Sequence, residues 1–308
     1  MKGIEKMKIG VDLGGSHIAI GAVDNNGKVV EKFEKRITKT EKKNIKKIIE
    51  EYIVEKTKML QEKYKITSIG IAVPGTIEKG TILKSVNLDL KNYPLVDKLA
   101  ENIDIPIKIK NDTKCAAFAE NIYGALREYN SGIFLTLGTG IGGAIIINNK
   151  LLEVGELPGC EFGHMIIQKN GLQCNCGKKG CFEKYASMKA FKDNLRNVLN
   201  LDEKTSGKDL LDIIRRNPQG SENFNKINKV IEEYIDNLSI GISNLINIFE
   251  PEAVVIGGSF VFYEEIFMNR LKEKILNNSL LFNQRKEIII QTAILGNDAG
   301  LIGATLLN

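Results

Sequence analysis

The chain has 308 residues, of which 43% are hydrophobic and 26% are charged, and its formal net charge is +5. Because this length exceeds what one hydrophobic core usually fills, we expect two domains. The small net charge argues against a nucleic-acid-binding surface, and no apolar run is long enough to span a membrane. An odd number of cysteines, five, and a start without an apolar signal segment favour a reducing compartment. We therefore expect a cytoplasmic protein with no nucleic-acid or membrane partner.

The first predicted element is a β-hairpin that contains a glycine loop. A strand is predicted over Lys8–Asp12, and a second strand over Ile18–Val23 follows the loop Gly14-Gly15-Ser16. An aspartate at a strand end, followed by two glycines and a hydroxyl, offers backbone N–H groups that can bind a phosphate. No G-K-[ST] run follows, so this is not a Walker loop. Taken alone, the run is more often simply a tight hairpin.

A second turn follows a predicted helix at about 41–63. Ser68–Val73 is a short apolar strand that ends at Pro74 and Gly75. Proline fixes φ and glycine permits unusual φ values, so this pair predicts a turn that exposes backbone groups to a ligand.

A polar pair stands at the next change from strand to helix. Pro106–Lys110 is predicted as a strand, and Thr113–Arg127 carries an apolar face at helical spacing. Asn111 and Asp112 lie between them. Either side chain can cap the helix, a common structural role worth about 1 kcal/mol.

A longer glycine run joins two further predicted strands, Ile133–Leu137 and Ala144–Ile147. The run includes Gly138, Thr139, Gly140 and Gly142 and satisfies the pattern G-x-G-x-x-G. A dinucleotide-binding fold requires a helix after this pattern, whereas a β-branched strand follows here, so that interpretation fails. A hairpin with a glycine loop can instead direct N–H groups at phosphates.

Three cysteines cluster in a loop that contains two glycines. Cys174, Cys176 and Cys181 can converge there, and His164 is the nearest candidate for a fourth ligand. Three thiolates and one imidazole are a common closed ligand set for structural zinc. The alternatives are disulfides, which the odd number of cysteines disfavours, and buried thiols without a ligand. We predict zinc.

Two carboxylates flank this cysteine loop. Glu161 precedes His164 and Glu183 follows Cys181. If a metal fixes both ends of the loop, these acids lie near one another and near the imidazole.

The C-terminal third is predicted to be largely helical. Residues 187–236 are polar and helical, and a strongly periodic helix covers Val230–Phe249. A buried strand, Ala253–Ile256, leads to Gly257-Gly258-Ser259 and a new helix, where the glycines could also serve close packing. A closing helix at about 297–308 is expected to return to the first domain.

Taken in order, these motifs resemble the ROK family of repressors, open reading frames and sugar kinases, over essentially the whole chain. The matching runs are D-L-G-G-S, A-V-P-G, N-D, G-T-G-I-G-G, E-F-G-H, C-x-C-G-x-x-G-C-x-E and V-I-G-G-S. The resemblance implies an α/β, two-domain actin-like (ribonuclease H-like) ATPase fold with an interdomain cleft. The small domain would comprise 1–112 with the closing helix, and the large domain 113–296 with the zinc loop.

The resemblance also implies a set of site residues for phosphoryl transfer from ATP to a sugar hydroxyl. Asp112 would be the catalytic base, and Asp12 would meet Mg²⁺ through water. Asn87 stands where the family has a sugar-contacting Asn, although Leu90 and Lys91 replace the usual aromatic residue. The implied sugar-binding residues are Gly75, Asn87, Asn111, Glu161, His164 and Glu183; the ATP and phosphate residues are Asp12, Gly14, Gly15, Ser16, Gly138, Thr139, Gly140, Gly142, Gly257 and Gly258; the zinc ligands are His164, Cys174, Cys176 and Cys181.

Within the family, the sequence favours a glucokinase that forms glucose 6-phosphate. The alternatives are kinases of N-acetylmannosamine, N-acetylglucosamine, fructose or allose, and a non-catalytic sugar sensor. Family repressors carry a helix-turn-helix before the first glycine loop, and we expect no room for one before Asp12. The resemblance also implies a homodimer.

Overall fold

The computed structural model describes residues 6–38, 40–153, 160–278 and 288–307. The chain divides into two compact units: unit 1 contains the described parts of 1–130, 144–159 and 294–308, and unit 2 those of 131–143 and 160–293. The domain boundary that the sequence suggests, after Asp112, stays a prediction. No helix within the described ranges is both long enough and apolar enough to cross a bilayer.

Strands and helices alternate along the chain. The strands are β1 Lys6–Leu13, β2 His17–Val23, β3 Val29–Arg36, β4 Lys65–Val73, β5 Thr76–Glu78, β6 Thr81–Ser85, β7 Leu90–Tyr93, β8 Ile107–Asn111, β9 Ser131–Leu137, β10 Ile141–Ile147, β11 Lys150–Leu151, β12 Ala253–Gly258 and β13 Ile289–Thr292. The α-helices are α1 Ile45–Lys63, α2 Leu95–Ala100, α3 Asp112–Tyr123, α4 Glu183–Ala186, α5 Met188–Val198, α6 Gly207–Arg216, α7 Phe224–Phe249, α8 Glu264–Asn278 and α9 Ala299–Ala304.

Unit 1 is organised around a mixed sheet of order β3-β2-β1-β4-β8. Strand β1 pairs antiparallel with β2 and parallel with β4, and β4 pairs parallel with β8. Helix α1 buries Ile45, Ile49, Ile53 and Leu60, whose helical spacing gives it one apolar face in the same core as β1 and β4. A small sheet of order β5-β6-β7 follows β4.

Helix α9 approaches this sheet with backbone against backbone. Gly10 of β1 and Gly70 of β4 are register partners. A Cβ on Gly10 would overlap the Leu301 carbonyl oxygen, and a Cβ on Gly70 would overlap that of Ala304. Gly303 makes the same kind of close approach to the carbonyl oxygen of Cys115 in α3. Glycine is therefore required where α9 meets β1, β4 and α3.

Unit 2 contains parallel strands β9, β12 and β13, within a sheet of order β11-β10-β9-β12-β13. An aromatic cluster packs α5, α7 and α8 together. The ring of Phe191 in α5 lies 4.9 Å from that of Phe267 in α8 and 5.1 Å from that of Tyr234 in α7. Such large buried rings stabilise the helical layer.

Several element limits differ from the sequence predictions. Helix α3 ends at Tyr123 rather than Arg127, because the Glu120 carboxylate accepts the N–H of Ala125 at 2.7 Å and turns the chain. The closing helix is α9, which is shorter than the predicted 297–308, and Asn308 lies outside the described residues. Sequence patterns did not reveal the three-stranded sheet β5-β6-β7 or α2, since both elements are short.

The close approach of α9 predicts a strong effect of Gly70→Ala. The added methyl group would force α9 away from β4, and we expect a loss of about 1–3 kcal/mol or more in the free energy of unfolding. Gly138→Ala is the control, because nothing lies within 4 Å of a Cβ there. Urea unfolding of both variants tests this, and equal stabilities would contradict it.

Candidate functional site

The first glycine loop of unit 1 lies beside Asn87. The N–H of Gly14 donates to the carbonyl oxygen of His17 at 2.8 Å and closes the turn between β1 and β2. A Cβ on Gly15 would lie 3.2 Å from both Cβ and the carbonyl oxygen of Asn87. Ser16 and Asn87 are exposed. Two features predicted separately, a phosphate loop and a sugar contact, are thus adjacent.

The sequence left open whether Asn111 or Asp112 caps the helix, and the structure shows that Asn111 does. It is the N-cap of α3, and its Oδ1 accepts the N–H of Lys114 at 3.2 Å. Its Nδ2 donates to the carbonyl oxygen of Gly75 at 3.3 Å. Gly75 has φ +117°, and a Cβ there would overlap the Lys84 carbonyl oxygen. One amide therefore joins the Pro74-Gly75 turn to the start of α3.

Asp112 is the first residue of α3. Its Oδ1 accepts the N–H of Thr113 at 2.8 Å, and its carboxylate lies in the first turn, where the helix dipole favours negative charge. Asn111 is the N-cap, so an acid at position 112 is not needed as the cap, although its bond to the Thr113 N–H stabilises the same helix start.

Asp12 stands among other carboxylates at the N-terminal end of α9. A Cβ on Gly300 would lie 3.1 Å from the Asp12 carboxylate. Desolvation by burial raises the pKa of Asp12 to about 7, the carboxylates of Asp112 and Asp298 add to this, and Lys32 opposes it. Lys32 is itself bound to Asp298 at 2.7 Å. A partly exposed group of carboxylates with one lysine suits a hard cation such as Mg²⁺.

The second glycine loop, in unit 2, contacts the start of α5 and Glu183. The N–H of Gly138 donates to the Gly140 carbonyl oxygen at 3.0 Å, and the Gly138 carbonyl oxygen accepts the N–H of Lys189 at 3.0 Å. A Cβ on Gly140 would lie 2.6 Å from Glu183 Oε2. Thr139, between the two glycines, is exposed. The loop therefore presents its backbone close to a proposed sugar-binding carboxylate.

The four predicted zinc ligands converge. The ligand atoms of His164, Cys174, Cys176 and Cys181 all lie within 4.8 Å of one another. The Cys176 and Cys181 sulfurs are 3.5 Å apart, and the Cys174 sulfur is 3.7 Å from His164 Nδ1. Ligands about 2.3 Å from one tetrahedral zinc would be separated by roughly this distance. The cluster is therefore compatible with structural zinc.

The thiols differ in how readily they lose a proton. Burial raises the pKa of Cys174 to about 12, whereas a hydrogen bond from the backbone N–H of Lys178 lowers the pKa of Cys176. A bound cation would favour the thiolate at each position.

The two flanking glutamates occupy different positions. Glu183 begins α4, and its Oε1 lies 3.1 Å from the Cys174 sulfur and 3.7 Å from His164 Nδ1. Glu161 is exposed and precedes the short 3₁₀ turn Phe162–His164. Since Nδ1 of His164 faces the thiols, its Nε2 is directed elsewhere and can serve another partner.

The third glycine run meets the second loop at the carboxyl ends of two parallel strands. Gly258 is the register partner of Leu137, has φ +73°, and a Cβ there would lie 2.6 Å from the Leu137 carbonyl oxygen. The hydroxyl of Ser259 donates to the same oxygen at 3.5 Å. Ligands of α/β sheets bind at such strand ends.

Sequence reasoning missed three charged residues near these loops. Lys32 and Asp298 join the group around Asp12, and the Lys192 ammonium lies 3.3 Å from the Ser259 hydroxyl. No local motif marks them, because their positions depend on how distant elements pack.

The chain has the two-domain actin-like ATPase fold of the ROK sugar-kinase structures that it resembles. The sequence matches the ROK family over residues 8–308, so the chain belongs to that family. This finding confirms the predicted resemblance and fold class.

Three known proteins illustrate what this chain is similar to. A glucokinase from Thermotoga maritima is 32% identical, over an alignment that covers 96% of this chain and 95% of that protein. A xylose repressor from Bacillus spizizenii is 30% identical, covering 87% of this chain and 68% of that protein. The crystal structure of a ROK family glucokinase from Streptomyces griseus, in complex with glucose and AMPPNP, has a TM-score of 0.79 and 29% identity and covers 97% of this chain and 98% of that one.

The cysteine cluster predicts one tightly held zinc ion per chain. Structural zinc supplies folding free energy, on the scale of about 10 kcal/mol in small domains, so Cys176→Ser should lose the metal and disorder the loop. Sugar binding should then be lost while ATP binding survives. Cys160→Ser, outside the quartet, is the control and should retain zinc. Elemental analysis of active protein that finds no zinc would exclude the site.

The raised pKa of Asp12 predicts that the stability of the protein depends on pH. Its pKa rises from an ordinary 3.8 to about 7, so the folded protein binds this proton more tightly than the unfolded chain. Without added metal, the free energy of unfolding should therefore fall as the pH rises through that interval. Asp12→Asn should flatten this dependence in urea titrations. An unchanged pH profile in the variant would contradict it.

Proposed function

We propose that this protein is an ATP-dependent hexose kinase that phosphorylates glucose to glucose 6-phosphate. The observation that carries the proposal is Asp112, an acid at the start of α3, where Asn111 already serves as the N-cap. The glucokinases among its relatives support the same activity.

In unit 1, Asp112 would accept the proton of the attacking sugar hydroxyl. The backbone N–H groups of Gly15 and Ser16 would hold phosphate oxygens, while Gly14 closes the turn that presents them. Asp12 would hold Mg²⁺ through water, and the cation would neutralise charge on the polyphosphate.

In unit 2, the loop at Gly138, Thr139, Gly140 and Gly142 would hold the β- and γ-phosphates. The Gly138 carbonyl oxygen accepts the Lys189 N–H, and the Gly138 N–H donates to the Gly140 carbonyl oxygen. These bonds fix the loop backbone, so its other N–H groups would need no rearrangement as charge develops on the transferred group. Gly257 and Gly258 would bind the adenosine part.

Sugar recognition would depend on polar groups that match individual hydroxyls. A sugar that lacks a hydroxyl would leave its partner buried and unsatisfied, which gives strong discrimination. Zinc bound to the cysteine loop would hold His164 and Glu183 in place and take no part in the chemistry. The proposed sugar-binding residues are Gly75 through its backbone, Asn87, Asn111, Glu161, His164 and Glu183.

Two other functions are consistent with membership of the family. A kinase of N-acetylmannosamine, N-acetylglucosamine, fructose or allose would use the same machinery. A non-catalytic sugar sensor is favoured by the similarity to a xylose repressor. A sensor has no need of a base or of phosphate loops, and this chain retains both Asp112 and the glycine loops. A homodimer and a cytoplasmic location stay predictions.

The test is ADP release with Mg-ATP, measured against hexoses and N-acetylhexosamines. We expect the highest kcat/KM for glucose. A higher value for another sugar would reassign the substrate, and no turnover on any sugar would favour the sensor.

Asp112→Asn separates catalysis from structure. A general base contributes typically about 10² to 10⁴-fold, so kcat should fall at least about a hundredfold on the best sugar. The Kd for sugar should stay near normal, and stability should change by no more than about 1 kcal/mol, since only a charge near the helix start is lost.

The matched control is Asp104→Asn, which removes the charge of an exposed aspartate from the same unit. Its kcat should equal that of the wild type. An Asp112→Asn variant that keeps more than about a tenth of the wild-type kcat would rule out Asp112 as the base.

A further inference from the structure

Lys192 extends from α5 into the region where two glycine loops meet. The first turn of α5 is fixed by the Ser187 hydroxyl, which accepts the N–H of Ala190 at 3.1 Å, and by the bond from Lys189 N–H to Gly138. Lys192 follows Lys189 by three residues, so it lies about one turn further on the same face.

Three residues of unit 2 surround the ammonium group of Lys192. The Lys192 Nζ lies 3.3 Å from the Ser259 hydroxyl and 5.7 Å from the ring centroid of Tyr263. A Cβ on Gly207, at the start of α6, would lie 3.0 Å from Nζ. The cation is therefore half-buried among a hydroxyl, an aromatic face and a glycine backbone.

Within the described ranges, no carboxylate forms an ion pair with Lys192. The acid nearest in sequence, Asp193, is bound by Lys189 and by Arg196, the latter at 2.8 Å. Burial lowers the pKa of Lys192, and the Arg196 charge adds to this effect. A half-buried cation with only neutral partners is unfavourable until an anion reaches it.

The residues around Lys192 indicate what kind of anion could bind to its ammonium group. Ser259, its hydrogen-bond partner, follows Gly257-Gly258 and also bonds to Leu137, the residue before the second glycine loop. Both glycine runs belong to the nucleotide site in the proposed function, on which this inference rests. A lysine ammonium binds phosphate as a compact point charge.

We propose that Lys192 is a nucleotide-binding residue whose ammonium group binds the phosphate chain of ATP or ADP at the junction of these two loops. Lys192 would add a side-chain contact to the phosphates, whereas the glycine loops would bind phosphate through backbone N–H groups. Its contribution should appear with phosphorylated nucleotides and not with adenosine.

Lys192→Met tests this, because methionine keeps most of the side-chain length and removes the charge. Calorimetric titration should show ADP binding weakened about tenfold or more, as expected for a hydrogen bond to a charged group. Adenosine affinity should change by less than about twofold. In assays, KM for Mg-ATP should rise while KM for sugar is unchanged. Lys192→Arg should recover most of the ADP affinity.

The control is Lys208→Met, which removes an exposed lysine charge next to Gly207 and should leave ADP affinity unchanged. Thermal unfolding and zinc content of each variant separate a binding effect from a folding effect. Equal ADP affinity in wild type and Lys192→Met overturns the inference and leaves the kinase intact. An equal loss for ADP and adenosine also overturns it, since it indicates a packing role. A wild-type protein that binds neither ATP nor ADP overturns both this inference and the proposed function.

Discussion

Unit 1 depends on the contact of α9 with two glycines, Gly10 and Gly70, which are register partners in adjacent strands. Without side chains at these positions, the helix backbone lies directly on the sheet. This contact brings a segment from the end of the chain to Asp12, near its beginning. The Glu120 carboxylate supports it by accepting the N–H groups of Ile294 and Leu295, at 3.0 and 2.8 Å, just before α9. Because Gly300 lies against Asp12, the electrostatics of the candidate cation site follow from the packing of α9.

In unit 2, contacts between loops fix the positions of the candidate site residues. Glu183 lies against Gly140 on one side and near Cys174 on the other, so the glycine loop and the cysteine cluster share one carboxylate. Fixing the cysteine loop with a metal would therefore also fix the Glu183 carboxylate beside Gly140. This coupling gives zinc a role in the site although it would take no part in the chemistry.

Local patterns marked the candidate loops because these loops are short and close to strand ends. The glycine loops and the cysteine quartet lie within a few residues of the elements that position them, so their runs are visible in the sequence, and the resemblance to the ROK family supplied their expected roles. The other features of the candidate site depend on tertiary packing. The choice of Asn111 as the cap depends on its second bond, to Gly75, which sequence cannot show. Lys192 is likewise recognised only when α5 is packed against the Gly257-Gly258 run.

The charges of the candidate site also bear on the choice between enzyme and sensor. Asp12 is held near the carboxylates of Asp112 and Asp298, with Lys32 as the opposing cation, and its pKa rises to about 7. In unit 2, Lys192 is half-buried with neutral neighbours. Grouped carboxylates and a half-buried lysine without an acidic partner among the described residues both reduce the stability of the protein when no ligand is bound. Such locally unfavourable features commonly mark functional sites. A metal cation would offset the charge of the first arrangement, and a phosphate group would offset that of the second. In each unit taken by itself, the charges therefore match the ligands of the proposed kinase better than they match a neutral sugar alone.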